Sequence, residues 1–133
     1  MQFLLDTNIC IYIIKKRPPA VWQKFQTLLP GDIGISSITV AELEYGVYKS
    51  QNPEKNQLAL NQFLIPLEII PFEEKHTLVY GEIRSNLEQQ GKIIGALDLL
   101  IAAQALAMKV VLVTNNMKEF NRIPNLMVEN WLN

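Results

Sequence analysis

Residues 93–113 read IIGALDLLIAAQALAMKVVLV, and this stretch decides the fold class. Residues 96–109 are predicted to form a helix that is buried on nearly all sides, because apolar side chains cover most of its circumference. Residues 110–113 form a short apolar run, which is typical of a strand buried on both faces of a parallel sheet. A buried helix that leads into a buried strand predicts an α/β fold.

The same alternation of helix and strand continues through the rest of the chain. Further short apolar runs predict strands at residues 3–5, 33–35 and 69–72. Helical spacing predicts helices at residues 8–16, 19–29, 39–50, 54–64 and 73–90. Proline and glycine residues between these segments support the boundaries. The sequence therefore predicts a single α/β domain with a mostly parallel sheet, spanning residues 1–133.

Composition restricts the classes of function. The chain has 133 residues, 49% of them hydrophobic and 19% charged, which suits one globular domain with its own core. Its net charge of -1 excludes a general positive field, so any contact with nucleic acid must be local. The basic run at residues 15–17 is short enough to be a solvated helix end. Cys10 is the only cysteine and is expected to be a buried small hydrophobe.

Three features predict a cytoplasmic protein that does not enter a membrane. A single cysteine excludes an internal disulfide and fits a reducing compartment. Residues 1–6, MQFLLD, contain no basic leader and no long apolar stretch of the kind found in a secretory signal. The longest apolar region, residues 93–113, contains Asp98, Gln104 and Lys109, and its carboxylate would be costly in a bilayer.

Three carboxylates occupy positions that a parallel sheet would bring to one edge. Asp6 directly follows the first strand, Glu42 is predicted in the first turn of the helix after the second strand, and Asp98 in the first turn of the apolar helix. Ligands of open parallel sheets bind outside the carboxyl ends of the strands. Asn115 and Asn116 follow the last strong strand and are expected at the same edge.

Each acid also has a purely structural explanation. Acids near a helix N-terminus accept hydrogen bonds from free N–H groups and interact favourably with the helix dipole. Asp6 could cap the helix that begins near residue 8. Residues 39–42, TVAE, match a capping box with Glu42 as its third helical residue. Asp98 could act in the same way in its own helix.

Asp98 is nevertheless expected to need a cation. Its predicted helix is buried, and residues 93–108 contain no Lys, Arg or His that could pair with the carboxylate. A metal ion would supply the missing positive charge. Carboxylate oxygens without His or Cys favour Mg²⁺ or Mn²⁺ over zinc or copper. Such a site suits phosphodiester hydrolysis, in which a metal binds the phosphate, activates water and stabilises the leaving oxygen.

Other signatures are absent, and two rival functions stay open. The chain has no GxGxxG, GxxxxGK[ST] or GxSxG motif, and its single histidine, His76, is expected to be a surface or capping residue. One rival is a phosphoryl-transfer enzyme with an aspartyl intermediate, although the sequence Asp6-Thr7-Asn8 lacks the second acid of a DxD motif. The other rival is a non-catalytic partner-binding module in which the acids are only caps.

Four stretches together resemble the PIN domain family and, within it, the VapC toxins of toxin–antitoxin pairs. They are residues 4–8 (LLDTN), 36–46 (SSITVAELEYG), 94–103 (IGALDLLIAA) and 113–120 (VTNNMKEF). Their order and spacing extend the likeness over essentially the whole chain. The resemblance implies a three-layer α/β/α sandwich, Mg²⁺- or Mn²⁺-dependent endoribonuclease activity, a homodimer, and inhibition by a co-expressed VapB-like antitoxin.

The resemblance also assigns roles to individual residues. Asp6 and Asp98 would be the principal metal ligands, with Glu42 as a further ligand or a water-orienting base. Asn116 stands at the family's fourth acidic position, and because an amide adds no negative charge a second ion would bind weakly. Glu119 could compensate, but it is equally well explained as a solvated acid in a short helix. Thr7 and Thr114 resemble family positions that line the site, and Thr114 is expected to orient water or phosphate.

Overall fold

The centre of the molecule is a sheet of five parallel strands, seen in a computed structural model that describes residues 1–132. The strands are β1 (Phe3–Leu5), β2 (Ile33–Ser36), β3 (Glu68–Ile70), β4 (Val111–Val113) and β5 (Val128–Glu129). Their order is β3-β2-β1-β4-β5, with every neighbouring pair parallel. The order reverses direction between β1 and β4, and this switch point is where open α/β sheets bind ligands.

Helices cover both faces of the sheet, which confirms the predicted three-layer α/β architecture. Within residues 1–132 they are α1 (Thr7–Lys15), α2 (Pro19–Gln26), α3 (Ser37–Lys49), α4 (Pro53–Leu64), α5 (Glu74–Gln89), α6 (Ala96–Met108) and α7 (Met117–Phe120). Phe3 and Leu5 of β1 face a core formed with α1 to α4, while Leu4 faces a second core formed with α5 to α7. Because successive side chains of a strand point to opposite faces of the sheet, β1 contributes to the cores on both sides.

Two parts of the sheet differ from the sequence-based expectation. The third strand was predicted at residues 69–72 with both faces buried, but β3 spans Glu68–Ile70 and the side chain of Ile69 is 46% exposed. The reason is that β3 lies at the edge of the sheet, with β2 as its single neighbour. The two-residue strand β5 was not predicted, because so short a segment carries no periodicity.

The predicted capping box at residues 39–42 is wrong. Helix α3 begins two residues earlier, and its N-cap is Ser36, whose hydroxyl accepts a hydrogen bond of 3.0 Å from the Ile38 N–H. Ser36 ends β2, so one residue terminates the strand and caps the helix. Thr39 is consequently a buried residue of the first turn, and Glu42 lies in the second turn, too far along for the predicted capping role.

His76 is a capping residue as predicted, but it is buried and not on the surface. It lies in the first turn of α5, where its Nδ1 accepts a hydrogen bond of 2.9 Å from the Glu73 N–H. Its ring packs against Phe72 with a centroid distance of 5.5 Å. Cys10 is fully buried in the core next to β1, as predicted. Among residues 1–132, no helix has the length and apolar character that crossing a membrane requires.

Candidate active site

Asp6 lies at the switch point of the sheet. It is the first residue after β1, and its backbone N–H donates a hydrogen bond of 3.0 Å to the carbonyl of Val113 at the end of β4. Its side chain caps α1, because Oδ1 accepts a hydrogen bond of 2.9 Å from the Ile9 N–H. The expectation that Asp6 caps a helix is therefore correct. Capping alone does not explain why Asp6 is buried near other acids.

The electrostatic environment of Asp6 disfavours a negative charge. The residue is 5% exposed, and burial is the main reason that its pKa rises from 3.8 to about 6. The charges of Asp98 and Glu42 raise this pKa further, so both carboxylates lie near enough to repel Asp6. Hydrogen bonds from the Thr114 hydroxyl and the Ile9 N–H partly offset these effects. The structure thus brings acids from three separate elements to one place.

Asp98 is less buried than the sequence predicted. It occupies the first turn of α6, as expected, but it is only half-buried, whereas residues 101–105 further along the helix are fully buried. The deeply buried carboxylate of the site is instead Asp6. The pKa of Asp98 is raised, first by partial burial and then by the charges of Glu119 and Glu42. Glu119 therefore belongs to the same electrostatic cluster.

No basic side chain compensates these acids within the described part of the chain. The one ion pair found in residues 1–132 joins Arg84 and Glu88, one turn apart on α5. Asp98 forms no ion pair with a basic side chain of residues 1–132. We call the four acids Asp6, Glu42, Asp98 and Glu119 the acidic cluster. A cation bound here would offset its negative charge.

Glu42 is held by a residue of another helix. The hydroxyl of Thr7, the first residue of α1, donates a hydrogen bond of 2.8 Å to Oε1 of Glu42. This contact joins the start of α1 to the second turn of α3. The family resemblance is the one sequence feature that indicates Thr7, because nothing in its local sequence indicates a partner 35 residues away.

The segment Thr114–Asn116, directly after β4, contacts three different neighbours. The hydroxyl of buried Thr114 accepts a hydrogen bond of 2.9 Å from the Asn116 N–H, and its bonding to Asp6 lowers the pKa of that carboxyl. The Asn116 amide donates a hydrogen bond of 2.8 Å to Oε2 of Glu119. The Asn115 amide donates one of 3.1 Å to the hydroxyl of Tyr12 on α1. No feature of the sequence indicated that Tyr12 contacts this segment.

The acidic cluster matches a hard divalent cation in donor type and charge. Its donors are oxygens, without sulfur or imidazole nitrogen, as Mg²⁺ and Mn²⁺ prefer. The side chains of residues 1–132 do not, however, form a closed group of three or more potential ligands as they stand. Glu42 and Glu119 each use one oxygen in a hydrogen bond, to Thr7 and Asn116 respectively. The second oxygen of each of these two carboxylates takes no part in these bonds.

A mostly apolar groove begins beside the cluster. It has a volume of about 390 Å³ and runs between α1, α3 and α4. Glu42 lines one part of it, and Lys15 and Lys49 also line it. A second groove of about 440 Å³ between α1, α2 and α4 shares Ile14 and Ala59 with the first. The apolar linings suit an amphipathic chain segment better than a charged small molecule.

Comparison with known proteins supports a specific family. A family model described as "PIN domain" matches residues 3–126. The chain is 54% identical over 132 residues to "Ribonuclease VapC2" of Rickettsia felis, covering 98% of each protein. It is 39% identical over 131 residues to "tRNA(fMet)-specific endonuclease VapC" of Shigella flexneri, again covering 98% of each.

A solved structure with the same fold extends the comparison. The structure is that of VapBC2 from Rickettsia felis, bound to a DNA fragment from their promoter. The fit to one chain of that complex has a TM-score of 0.91 at 53% identity, over 98% of this chain and 99% of that one. The sheet order and the helical layers described above are therefore shared along almost the whole length.

Proposed function

The chain belongs to the PIN domain family, and on that premise we propose that it is a VapC-type endoribonuclease toxin that hydrolyses RNA phosphodiester bonds with the help of Mg²⁺ or Mn²⁺. The observation that carries this proposal is Asp6. This carboxylate is buried at the switch point, is surrounded by other carboxylates, and has no basic partner within residues 1–132. Such an arrangement is unfavourable unless a cation binds.

We assign the chemistry to the residues of the acidic cluster. Asp6 and Asp98 act as the principal ligands, and Glu42 acts as a further ligand or as the base that orients the attacking water. A bound divalent cation would supply Lewis-acid polarisation of the phosphate and a lower pKa for that water. Thr114, which already hydrogen-bonds in the cluster, orients water or a phosphate oxygen.

Asn116 and Glu119 act together at the fourth acidic position. Their hydrogen bond of 2.8 Å holds the Glu119 carboxylate at the cluster, where its charge raises the pKa of Asp98. Glu119 therefore supplies the negative charge that the Asn116 amide lacks. Both residues are half-buried, so each can still reach a metal-bound water.

RNA is the substrate class that we propose, and tRNA is the first RNA to test. The Shigella flexneri relative is named as a tRNA(fMet)-specific endonuclease, and the Rickettsia felis relative as a ribonuclease. The net charge of -1 supports a metal-centred mode of binding, because a cation lets an acidic protein present a positive site to a phosphate.

We further propose a VapB-like antitoxin as the protein partner in the cytoplasm, with this chain as a homodimer. The groove between α1, α3 and α4 would bind an amphipathic antitoxin segment. Because Glu42 lines that groove, a basic side chain on the segment could reach the acidic cluster and neutralise it. Purification of the untagged chain as a harmless soluble monomer, without a co-expressed inhibitor, would contradict this part.

Cleavage of RNA by the purified chain tests the proposal directly. The chain is stripped with EDTA and then incubated with labelled tRNA, with or without Mn²⁺. We expect cleavage only with Mn²⁺ and only by the wild type, not by Asp6→Asn. Metal-independent cleavage, or equal cleavage by Asp6→Asn, would refute it. Trapping of a phosphorylated aspartate would favour the rival phosphoryl-transfer enzyme, and the absence of any Mn²⁺ effect on melting would favour the partner-binding module.

A further inference from the structure

The hydrogen bond between Tyr12 and Asn115 has no role in the mechanism above. Asn115 is the middle residue of the segment Thr114–Asn116. On one side of it, Asn116 donates a hydrogen bond to Glu119 of the acidic cluster, and on the other side the Thr114 hydroxyl lowers the pKa of Asp6. Asn115 bonds instead to the hydroxyl of Tyr12, which lies outside the cluster, with a donor–acceptor distance of 3.1 Å.

Tyr12 is a rigid anchor for this segment. It lies on α1, whose residues Ile9, Cys10 and Ile13 are buried against the sheet. The Tyr12 side chain packs against the same core and is partly buried. Since α1 also begins at its cap Asp6, Tyr12 and Asp6 are carried by one helix.

Most other hydrogen bonds of this segment stay within it or join it to β5 and α7. The Thr114 N–H donates a hydrogen bond of 3.0 Å to the Glu129 carbonyl, which continues the β4 pairing with β5. Beyond that point, the strand has ended and α7 has only four residues. The Tyr12–Asn115 bond is a side-chain contact that ties this turn back to α1, across 103 residues of sequence.

We propose that Tyr12 and Asn115 are positioning residues. Their hydrogen bond ties the segment Thr114–Asn116 to α1, and so fixes the positions of Thr114 and Asn116 relative to Asp6. This inference rests on the proposed function, because the effect expected of these two residues is on the binding of a divalent cation at Asp6. Partners that orient a metal's ligands through hydrogen bonds commonly change metal affinity by one to two orders of magnitude when they are removed. A side chain that only stabilises the fold has no such effect.

Two single substitutions remove the bond without adding charge. Tyr12→Phe deletes the acceptor hydroxyl and keeps the ring, and Asn115→Ala deletes the donor amide. Tyr48→Phe is the matched control, since Tyr48 is 78% exposed on α3 and deletion of its hydroxyl is the same chemical change. The measurements are the Mn²⁺ dissociation constant from calorimetry and the Mn²⁺ concentration that gives half-maximal tRNA cleavage.

We expect Mn²⁺ to bind about tenfold more weakly to Tyr12→Phe and to Asn115→Ala than to the wild type, and with unchanged affinity to Tyr48→Phe. The double variant should be no weaker than either single variant, because both remove one bond. Saturating Mn²⁺ should restore most of the cleavage rate.

The failure of this inference can be distinguished from failure of the proposed function. If the wild type itself does not bind Mn²⁺, both the proposed function and this inference are wrong. If the wild type binds Mn²⁺ and both single variants bind it equally well, only the inference is overturned. Loss of the native fold in both variants would also overturn it, since the bond would then be a requirement for folding.

Discussion

The hydroxyl of Thr7 donates a hydrogen bond of 2.8 Å to Oε1 of Glu42, and this bond joins the first residue of α1 to the second turn of α3. The two residues are 35 positions apart in sequence. Thr7 directly follows Asp6, so the contact holds a second carboxylate beside the buried one. This geometry makes the Thr7 hydroxyl a determinant of where Glu42 points.

Replacement of Thr7 by valine should therefore impair cleavage more than stability. Thr7→Val removes the hydroxyl but keeps the branched shape, and we expect the rate of RNA cleavage to fall about tenfold, with a stability change of about 1 kcal/mol. Thr7→Ser keeps the hydroxyl and should cleave at nearly the wild-type rate. Single-turnover cleavage and urea unfolding measure the two effects, and equal rates for the serine and valine variants would contradict the assignment.

Asp6→Asn should stabilise the protein in the absence of metal. Since the folded pKa of Asp6 is raised from 3.8 to about 6, ionisation of Asp6 destabilises the folded state at pH 8, by up to about 3 kcal/mol. An asparagine can still accept the capping hydrogen bond from the Ile9 N–H. Urea unfolding at pH 8 with EDTA should therefore show a more stable variant. Asp6→Ala loses the capping hydrogen bond, so its free energy of unfolding should increase less than that of Asp6→Asn. An Asp6→Asn variant less stable than the wild type would contradict this prediction.

The same pKa predicts how stability and metal binding depend on pH. As pH falls from about 6 towards 4, Asp6 becomes protonated in the folded state, so its destabilising contribution disappears. Protonation would also remove one of the proposed metal ligands. Mn²⁺ at about 100 times its dissociation constant should stabilise the wild type by about 2.7 kcal/mol at pH 8, and by much less at pH 5. Thermal melting across this range checks the prediction, and an Mn²⁺ effect that does not change with pH would rule out Asp6 as a ligand.

Protonation of His76 should destabilise the folded protein as pH falls, whereas protonation of Asp6 should stabilise it. Burial, and then the charge of Lys75, lower its pKa below 6.5, so the unfolded chain binds the proton more readily than the folded one. Its contribution therefore makes the protein less stable as pH falls below about 6.5. His76→Gln keeps an acceptor for the Glu73 N–H at this capping position but cannot titrate.

The comparison for His76 is the difference in unfolding free energy between His76→Gln and the wild type as a function of pH. Because both proteins retain Asp6, that difference isolates the histidine. We expect it to change in favour of the variant as pH decreases from 7 to 5. Parallel stability curves would show that His76 is not the source of the acid sensitivity.

Local pattern was enough to predict the order of β1 to β4 and α1 to α6 along the chain. Apolar periodicity in residues 93–113 identified α6 and β4 because hydrophobic spacing along one segment reflects how that segment is buried. The position of Asp6 was predictable for a similar reason, since the residue after a parallel strand faces the carboxyl edge of the sheet. The PIN resemblance was confirmed over residues 3–126.

Tertiary packing decided which polar groups are buried and which are paired. The sequence placed Asp98 in a buried helix, yet the start of α6 is open and Asp6 is the buried acid. It matched Glu42 to a capping box, yet Ser36 caps α3. The Tyr12–Asn115 bond was not predicted at all.

By itself, therefore, the sequence determined β1 to β4, α1 to α6, their order along the chain and the acids that they carry, because these follow from short-range periodicity and strand ends. Only the tertiary structure decided the burial of each acid and the hydrogen bonds that connect Thr7 to Glu42 and Tyr12 to Asn115. The physical reason is that solvent exclusion and side-chain pairing depend on which layers pack together, and no window of neighbouring residues contains that information.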